Sequence, residues 1–332
     1  MEGHPASGRD RGGLGLCPDR GSGAEMKPPI ALLLAMLLAG SAGARAAGRP
    51  DLTVCLQTRN PPLSFRTDDK PAGFDLALSR AIADRLDRGL QIQWFVSRDD
   101  PDANPAKEAN ALLSDGHCQL VAEYPLTAGA LARPLSPTGK LPPFDGAKPD
   151  DRKRWVKLGA LMPTQPYRFD TLTVVLGKSH ADRPVRKLAD LDGLRIGVQT
   201  ATLADAIAMR YDGGLLANRI VHLPDSRALF AKLRAGEIDA AFVDMRAVDA
   251  WRLHNGTDGL ALSGYAHSLG FNMGFVGLAG SATLIRQVDA ALADLKAHDA
   301  LAPMAQQAGL TYIPPRSPDV LPDVHLAALQ GD

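Results

Sequence analysis

Glutamate is scarce in this chain: five of the 37 acidic residues are Glu and the rest are Asp. Aspartate competes with helix backbone and favours caps and turns, so long charged helices are not expected. Aromatic residues make up only 5% of positions, which leaves Ala, Leu and Val to fill the core, and 32 Gly with 25 Pro mark many turns. Neither sign of charge is in excess, with 37 basic and 37 acidic residues. A neutral chain has no broad basic field, which excludes nucleic acid as the expected partner. The three cysteines form no CxxC or Cys/His cluster, so neither a structural zinc site nor any other metal or cofactor is expected. What is present is ordinary globular composition, 45% hydrophobic and 22% charged over 332 residues. That content excludes a wholly disordered chain, and the length predicts two domains.

The first 46 residues stand apart. Residues 1–25 are Gly- and Arg-rich without apolar periodicity. Lys27, the apolar run Ile30–Ala39 and the small residues around Ala44-Arg45-Ala46 then form the three parts of a secretory signal peptide. The run is too short to span a bilayer comfortably, and no later stretch resembles a span. The pattern predicts a true start at Met26, cleavage after Ala46 and an exported, soluble mature protein. Cys17 is lost with the leader, which leaves Cys55 and Cys118. An even pair in an exported chain suggests one disulfide; two separate buried thiols are the alternative.

From Asp51 the chain alternates strand and helix. Leu52–Leu56 reads as a strand, and Phe74, Leu78, Ile82 and Leu86 mark an amphipathic helix. Gln91–Val96 is a second strand, Ala106–Leu113 a helix, and Cys118–Ala122 a third strand. A β-α-β-α-β order implies a parallel sheet covered by helices. Residues 134–155 hold five prolines and a charged run and read as a surface insertion. The strand Leu172–Leu176 precedes a second unit with strands at Leu194–Val198, Ile220–Leu223 and Ile238–Val243. His222 and His267 fall in strand or hinge surroundings and read as structural.

The runs Pro61-Pro62-Leu63-Ser64-Phe65 and Gly73-Phe74-Asp75-Leu76-Ala77 resemble the opening of periplasmic solute-binding proteins of the amino-acid-binding kind. Asp190-Leu191-Asp192-Gly193 to Val198, and Leu233-Arg234-Ala235-Gly236-Glu237-Ile238-Asp239-Ala240 to Asp244, are similar to their second lobe. The resemblance covers roughly residues 50–315. It implies an α/β fold of the type II clamshell form: two lobes, each a mixed, mainly parallel sheet flanked by helices. Lobe one is expected at 50–174 and 268–315, lobe two at 175–267, and a tail at 316–332. Cys55 and Cys118 further resemble a cysteine pair in solute-binding-like accessory proteins of periplasmic quinoprotein methanol dehydrogenases.

In open α/β sheets ligands sit beyond the carboxyl ends of strands. Asp244 lies at such an end, where the resemblance implies an Asp that accepts the ligand's amino group; capping the following helix is the alternative. Thr202 opens a helix whose N–H groups can hold an anion, or is a plain cap. The resemblance also places Thr200, Phe65, Glu123 and Tyr124 at the ligand. Arg133 is the nearest arginine to the usual carboxylate clamp but stands two positions late, and Ala201 replaces a usual Gly. A bidentate clamp tolerates little displacement, which weighs against an amino acid as ligand. The leading expectation is a periplasmic protein, not an enzyme, that captures a small polar solute between its lobes and delivers it to an ABC-type membrane permease. The alternatives are a dehydrogenase accessory protein, and a dehydratase-type enzyme using Glu123 as general acid.

Overall fold

The computed structural model describes residues 50–67, 70–98, 104–256 and 259–332. The expected leader and signal peptide, residues 1–46, lie outside the described residues. In chain order the first part holds β1 (Leu52–Gln57), β2 (Arg59–Asn60), β3 (Ser64–Thr67), β4 (Lys70–Ala72), α1 (Phe74–Arg85), β5 (Leu90–Phe95), α2 (Pro105–Ser114), β6 (Leu120–Pro125) and α3 (Ala128–Leu131). Next come β7 (Thr138–Lys140), β8 (Trp155–Lys157), β9 (Leu161–Pro163), β10 (Arg168–Gly177), β11 (Ile196–Gln199), α4 (Leu203–Arg210), β12 (Ile220–Leu223) and α5 (Ser226–Arg234). The last part is β13 (Ala240–Asp244), α6 (Met245–Asn255), β14 (Leu260–Leu278), α7 (Ala282–Ala297) and α8 (Leu301–Gln307).

The principal sheet has the order β12-β11-β13-β10-β14-β6-β1-β5, with β9 on β14. The outer ladders, β5-β1-β6 and β12-β11-β13, are parallel as the β-α-β pattern requires, whereas β10 and β14 run antiparallel to their neighbours. These two strands lie side by side in the middle of the sheet, between the two parallel ladders. Apolar residues divide accordingly. Leu52, Val54, Phe74, Leu78, Ile82, Val288 and Leu292 pack together on one side. Ile196, Val198, Ile207, Phe242 and Leu172 form the core of the other.

Local chemistry explains the boundaries. Gly73 precedes α1 at φ +117, and a Cβ there would lie 2.3 Å from the Leu63 carbonyl oxygen, so only glycine admits that approach. Helix α5 starts on Asp225, whose carboxylate accepts from the Ala228 N–H at 2.7 Å. It ends with Gly236 at φ +70, where the Glu237 N–H reaches back to the Lys232 carbonyl at 3.0 Å. Cys55 in β1 is bonded to Cys118 just before β6, with Cα atoms 5.6 Å apart. The disulfide expected from cysteine count is therefore formed, between strands that pair at Val54–Leu120 and Cys55–Val121.

Residues 134–155 are less of a loose loop than their prolines suggest. Gly139 pairs with Val156 across β7 and β8, and Leu141 is buried. The Val96 N–H donates to the Pro143 carbonyl and the Asp145 N–H to that of Trp94, so this segment covers the free edge of β5. Three-residue strands are too short to show a period in sequence.

The tail is also ordered. The buried Asn272 accepts from the Arg316 N–H at 2.9 Å, and its amide nitrogen faces the carbonyls of Arg316, Pro318 and Asp319. The Leu321 N–H donates to the Leu126 carbonyl at 2.9 Å, on lobe one. Leu329 then enters the core built on β11 and β13. The Asp332 carboxylate accepts from the hydroxyls of Tyr211 and Tyr265, each at 2.7 Å, and from the Leu188 N–H at 2.9 Å.

Candidate functional site

A cavity of about 350 Å³ lies beyond the ends of β11 and β13, walled across by β10 and β14. Its polar lining includes Asp170, Asp244, Gln199, Thr202, Ser226 and Arg246. Leu172, Phe242, Phe271 and Leu203 supply much of its apolar wall. This mixture of an apolar surface with few polar groups is the usual form of a small-molecule site.

Asp244 ends β13 and lines the cavity while accepting from the Arg246 N–H at 2.8 Å, so it caps α6 as well. Burial pushes its carboxyl up to about 6, and the negative charge of Asp170 adds to this, opposed by Arg246. Leu172 stands opposite Asp244 in the β10–β13 ladder, so Asp170, two residues along, shares its face. Thr202 also lines the cavity, but its hydroxyl donates to the Gln199 carbonyl at 2.7 Å and accepts from the Asp205 N–H at 3.3 Å.

The remaining expected ligand residues are not brought to this wall. The Thr200 hydroxyl donates to the Leu223 carbonyl at 3.2 Å. Tyr124 is buried in the lobe-one core with its hydroxyl donating to the Ala130 carbonyl at 2.6 Å. Phe65 pairs with Arg59 and Ala72 in the small β2-β3-β4 sheet. Arg133 is exposed beyond α3 and does not line the cavity.

Glu123 is placed behind the cavity wall by an irregularity. It has φ +57 within β6, and between the pairs Gly274–Tyr124 and Val276–Val121 the strand β6 carries one residue more than β14. Such a bulge re-aims a side chain. The Glu123 carboxylate meets Arg168 at 3.0 Å, Arg246 at 3.9 Å and the amide nitrogen of Asn60. Arg168 in turn meets Asp170 at 3.2 Å. The Tyr167 hydroxyl donates to Asp75 Oδ1 at 3.0 Å and accepts from the Glu123 N–H at 2.8 Å. Burial pushes Glu123 up to about 8 and Asp75 up to about 6, in both cases against the pull of Arg168. Both Glu123 oxygens are engaged, and Glu123 is not among the residues that line the cavity.

Sequence reasoning missed Asn60, Asp75, Arg168, Asp170 and Arg246. The one available signal was the alternation Tyr167-Arg168-Phe169-Asp170, which puts both charged residues on one face of a strand. His222 pairs with Asp205 at 3.0 Å, and the buried His267 accepts from the Leu269 N–H at 2.9 Å. Among the described residues no group of His, Cys, Asp or Glu is arranged to hold a metal ion, and no helix is long and apolar enough to cross a membrane.

No family model matches the chain, and no curated protein matches it. Solved structures do. The L-cystine solute receptor of Neisseria gonorrhoeae, unliganded and open, superposes with a TM-score of 0.55 at 17% identity, over 80% of this chain and 96% of that one. An ancestral cationic amino acid solute-binding protein gives 0.53 at 18% identity, over 77% and 94%. A substrate-binding domain assigned to an amino acid ABC transporter from Streptococcus pneumoniae gives 0.57 at 16% identity, over 78% and 99%. With both lobes, their shared strands and these neighbours in view, the chain has the type II periplasmic-binding fold.

Proposed function

We propose that this protein captures a small polar solute between its lobes in the periplasm and delivers it to an ABC-type permease. The observation that carries this reading is the cavity at the strand ends, with Asp244 and Thr202 on its wall. Lobe one in this reading comprises residues 50–174 and 268–315, lobe two residues 175–267, and β10 and β14 act as the hinge. A solute touching both lobes binds the closed form better and shifts the population towards it. The likeness to binding proteins, and the engaged state of Glu123, support binding over catalysis. A second reading, the accessory protein of a quinoprotein dehydrogenase, is supported by the Cys55–Cys118 bond alone.

Thermal shift across amines, amino acids and organic acids tests the proposal. Asp244→Ala removes a charged contact and should weaken a stabilising solute by about 1.5–3 kcal/mol without unfolding the protein. Equal stabilisation of both forms would remove Asp244 from the site. Absence of any stabilising solute would favour the accessory reading.

A further inference from the structure

Resting on the solute-binding reading, we infer that the cleft accepts a small organic cation that carries no carboxylate, an alkyl diamine or a guanidino amine, in preference to an α-amino acid. A ligand carboxylate needs free donors, either a guanidinium fork or the N–H groups at a helix start. Both kinds occur here: Arg168 is held by carboxylates of the chain, an acid stands in the first turn of α4, and Arg246 is engaged by Asn60 and lies 3.9 Å from Glu123.

Arg168 sits behind the cavity wall, gripped by Glu123 at 3.0 Å and Asp170 at 3.2 Å. At the start of α4 the Ala201 N–H donates to Asp205 Oδ2 at 2.9 Å. The same Asp205 stands in the first helical turn, where its charge answers the helix dipole. Arg246 is the guanidinium on the wall, and it donates to Asn60 Oδ1 at 2.8 Å while its backbone N–H serves Asp244.

The opposite preference is built in. Asp170 and Asp244 lie on one face of the β10–β13 ladder, and both line the cavity. Two carboxylates withdrawn from water beside each other are stabilised by a cation placed between or against them. Leu172, Phe242 and Phe271 line the same cavity and offer an apolar surface that suits a methylene chain and gains nothing from a second charged group.

Titration calorimetry of the exported protein with agmatine, putrescine and L-arginine tests this. Agmatine is arginine without its carboxylate, so the pair isolates that group. The expected result is agmatine binding at least tenfold more tightly than arginine. Asp244→Asn and Asp170→Asn should each weaken agmatine at least tenfold, with circular dichroism unchanged. If either variant fails to fold, the agmatine-to-arginine ratio of the unaltered protein still decides. Arginine, or any other α-amino acid, binding as tightly as the amines would overturn the inference and leave the solute-binding reading standing. No heat from the amines or from a full amino-acid panel would overturn both.

Discussion

Asn60 in β2 accepts a hydrogen bond from Arg246 Nη1 in α6 at 2.8 Å, and turns its amide nitrogen to Glu123. One small side chain therefore links the start of α6 to the buried charges behind β10. Asn60→Ala should weaken the closed form by roughly 1 kcal/mol, about a fivefold shift towards open. Small-angle scattering of the solute-free protein should show a larger radius of gyration. An unchanged radius would show that this contact does not hold the lobes together.

Arg168 is buried and touches two carboxylates. Replacing it by Leu leaves Glu123 and Asp170 withdrawn from water without their partner, at a cost of about 3–5 kcal/mol. Urea unfolding measures this directly. A loss below about 1 kcal/mol would mean that the carboxylates do not depend on Arg168.

Asp75 supplies a pH prediction. Its folded-state value of about 6 lies above the ordinary 3.8, so the folded protein binds this proton more tightly than the unfolded chain does. Its contribution is complete below about pH 4 and is lost as pH rises towards 6. Asp75→Asn retains an acceptor for the Tyr167 hydroxyl and should flatten the fall in thermal midpoint between pH 4 and 6. A slope identical to that of the unaltered protein would remove Asp75 as its source.

The Cys55–Cys118 bond joins residues 63 apart. Closing a loop of that length restrains the unfolded chain by about 4 kcal/mol in the entropic account. Reduction under native conditions should lower the thermal midpoint accordingly, and thiol titration of the denatured, unreduced protein should find these two sulfurs unavailable.

The alternation of strand and helix was legible because local pattern governs it. Phe74, Leu78 and Ile82 recur at helical spacing, and Asp225 and Gly236 bracket α5 with an acceptor and a left-handed residue. The place of Asp244 at the end of a strand was legible, because the apolar run before it marks β13. Arg168 and Asp170 were not, since β10 extends four residues before the apolar run at Leu172 and charged residues in that position resemble a loop. Glu123 turns inward through the register of β6 against β14, strands about 150 residues apart, which no local pattern encodes. Asp205 reads as an ordinary first-turn acid; that it consumes the Ala201 N–H depends on Ala201 adopting φ +62.

For the hinge proposed above, the ordered tail adds a further constraint. Strands β10 and β14 run side by side, and two adjacent ties leave a body free to swing about the line through them. Residues 316–332 make a third tie, fastened to lobe one at Leu126 and Asn272 and to lobe two at Leu188, Tyr211 and Tyr265. Between Leu321 and Leu329 only seven residues of slack remain. A swing of that proposed hinge would stop where this short length of chain has straightened and Leu329 begins to be drawn from its socket.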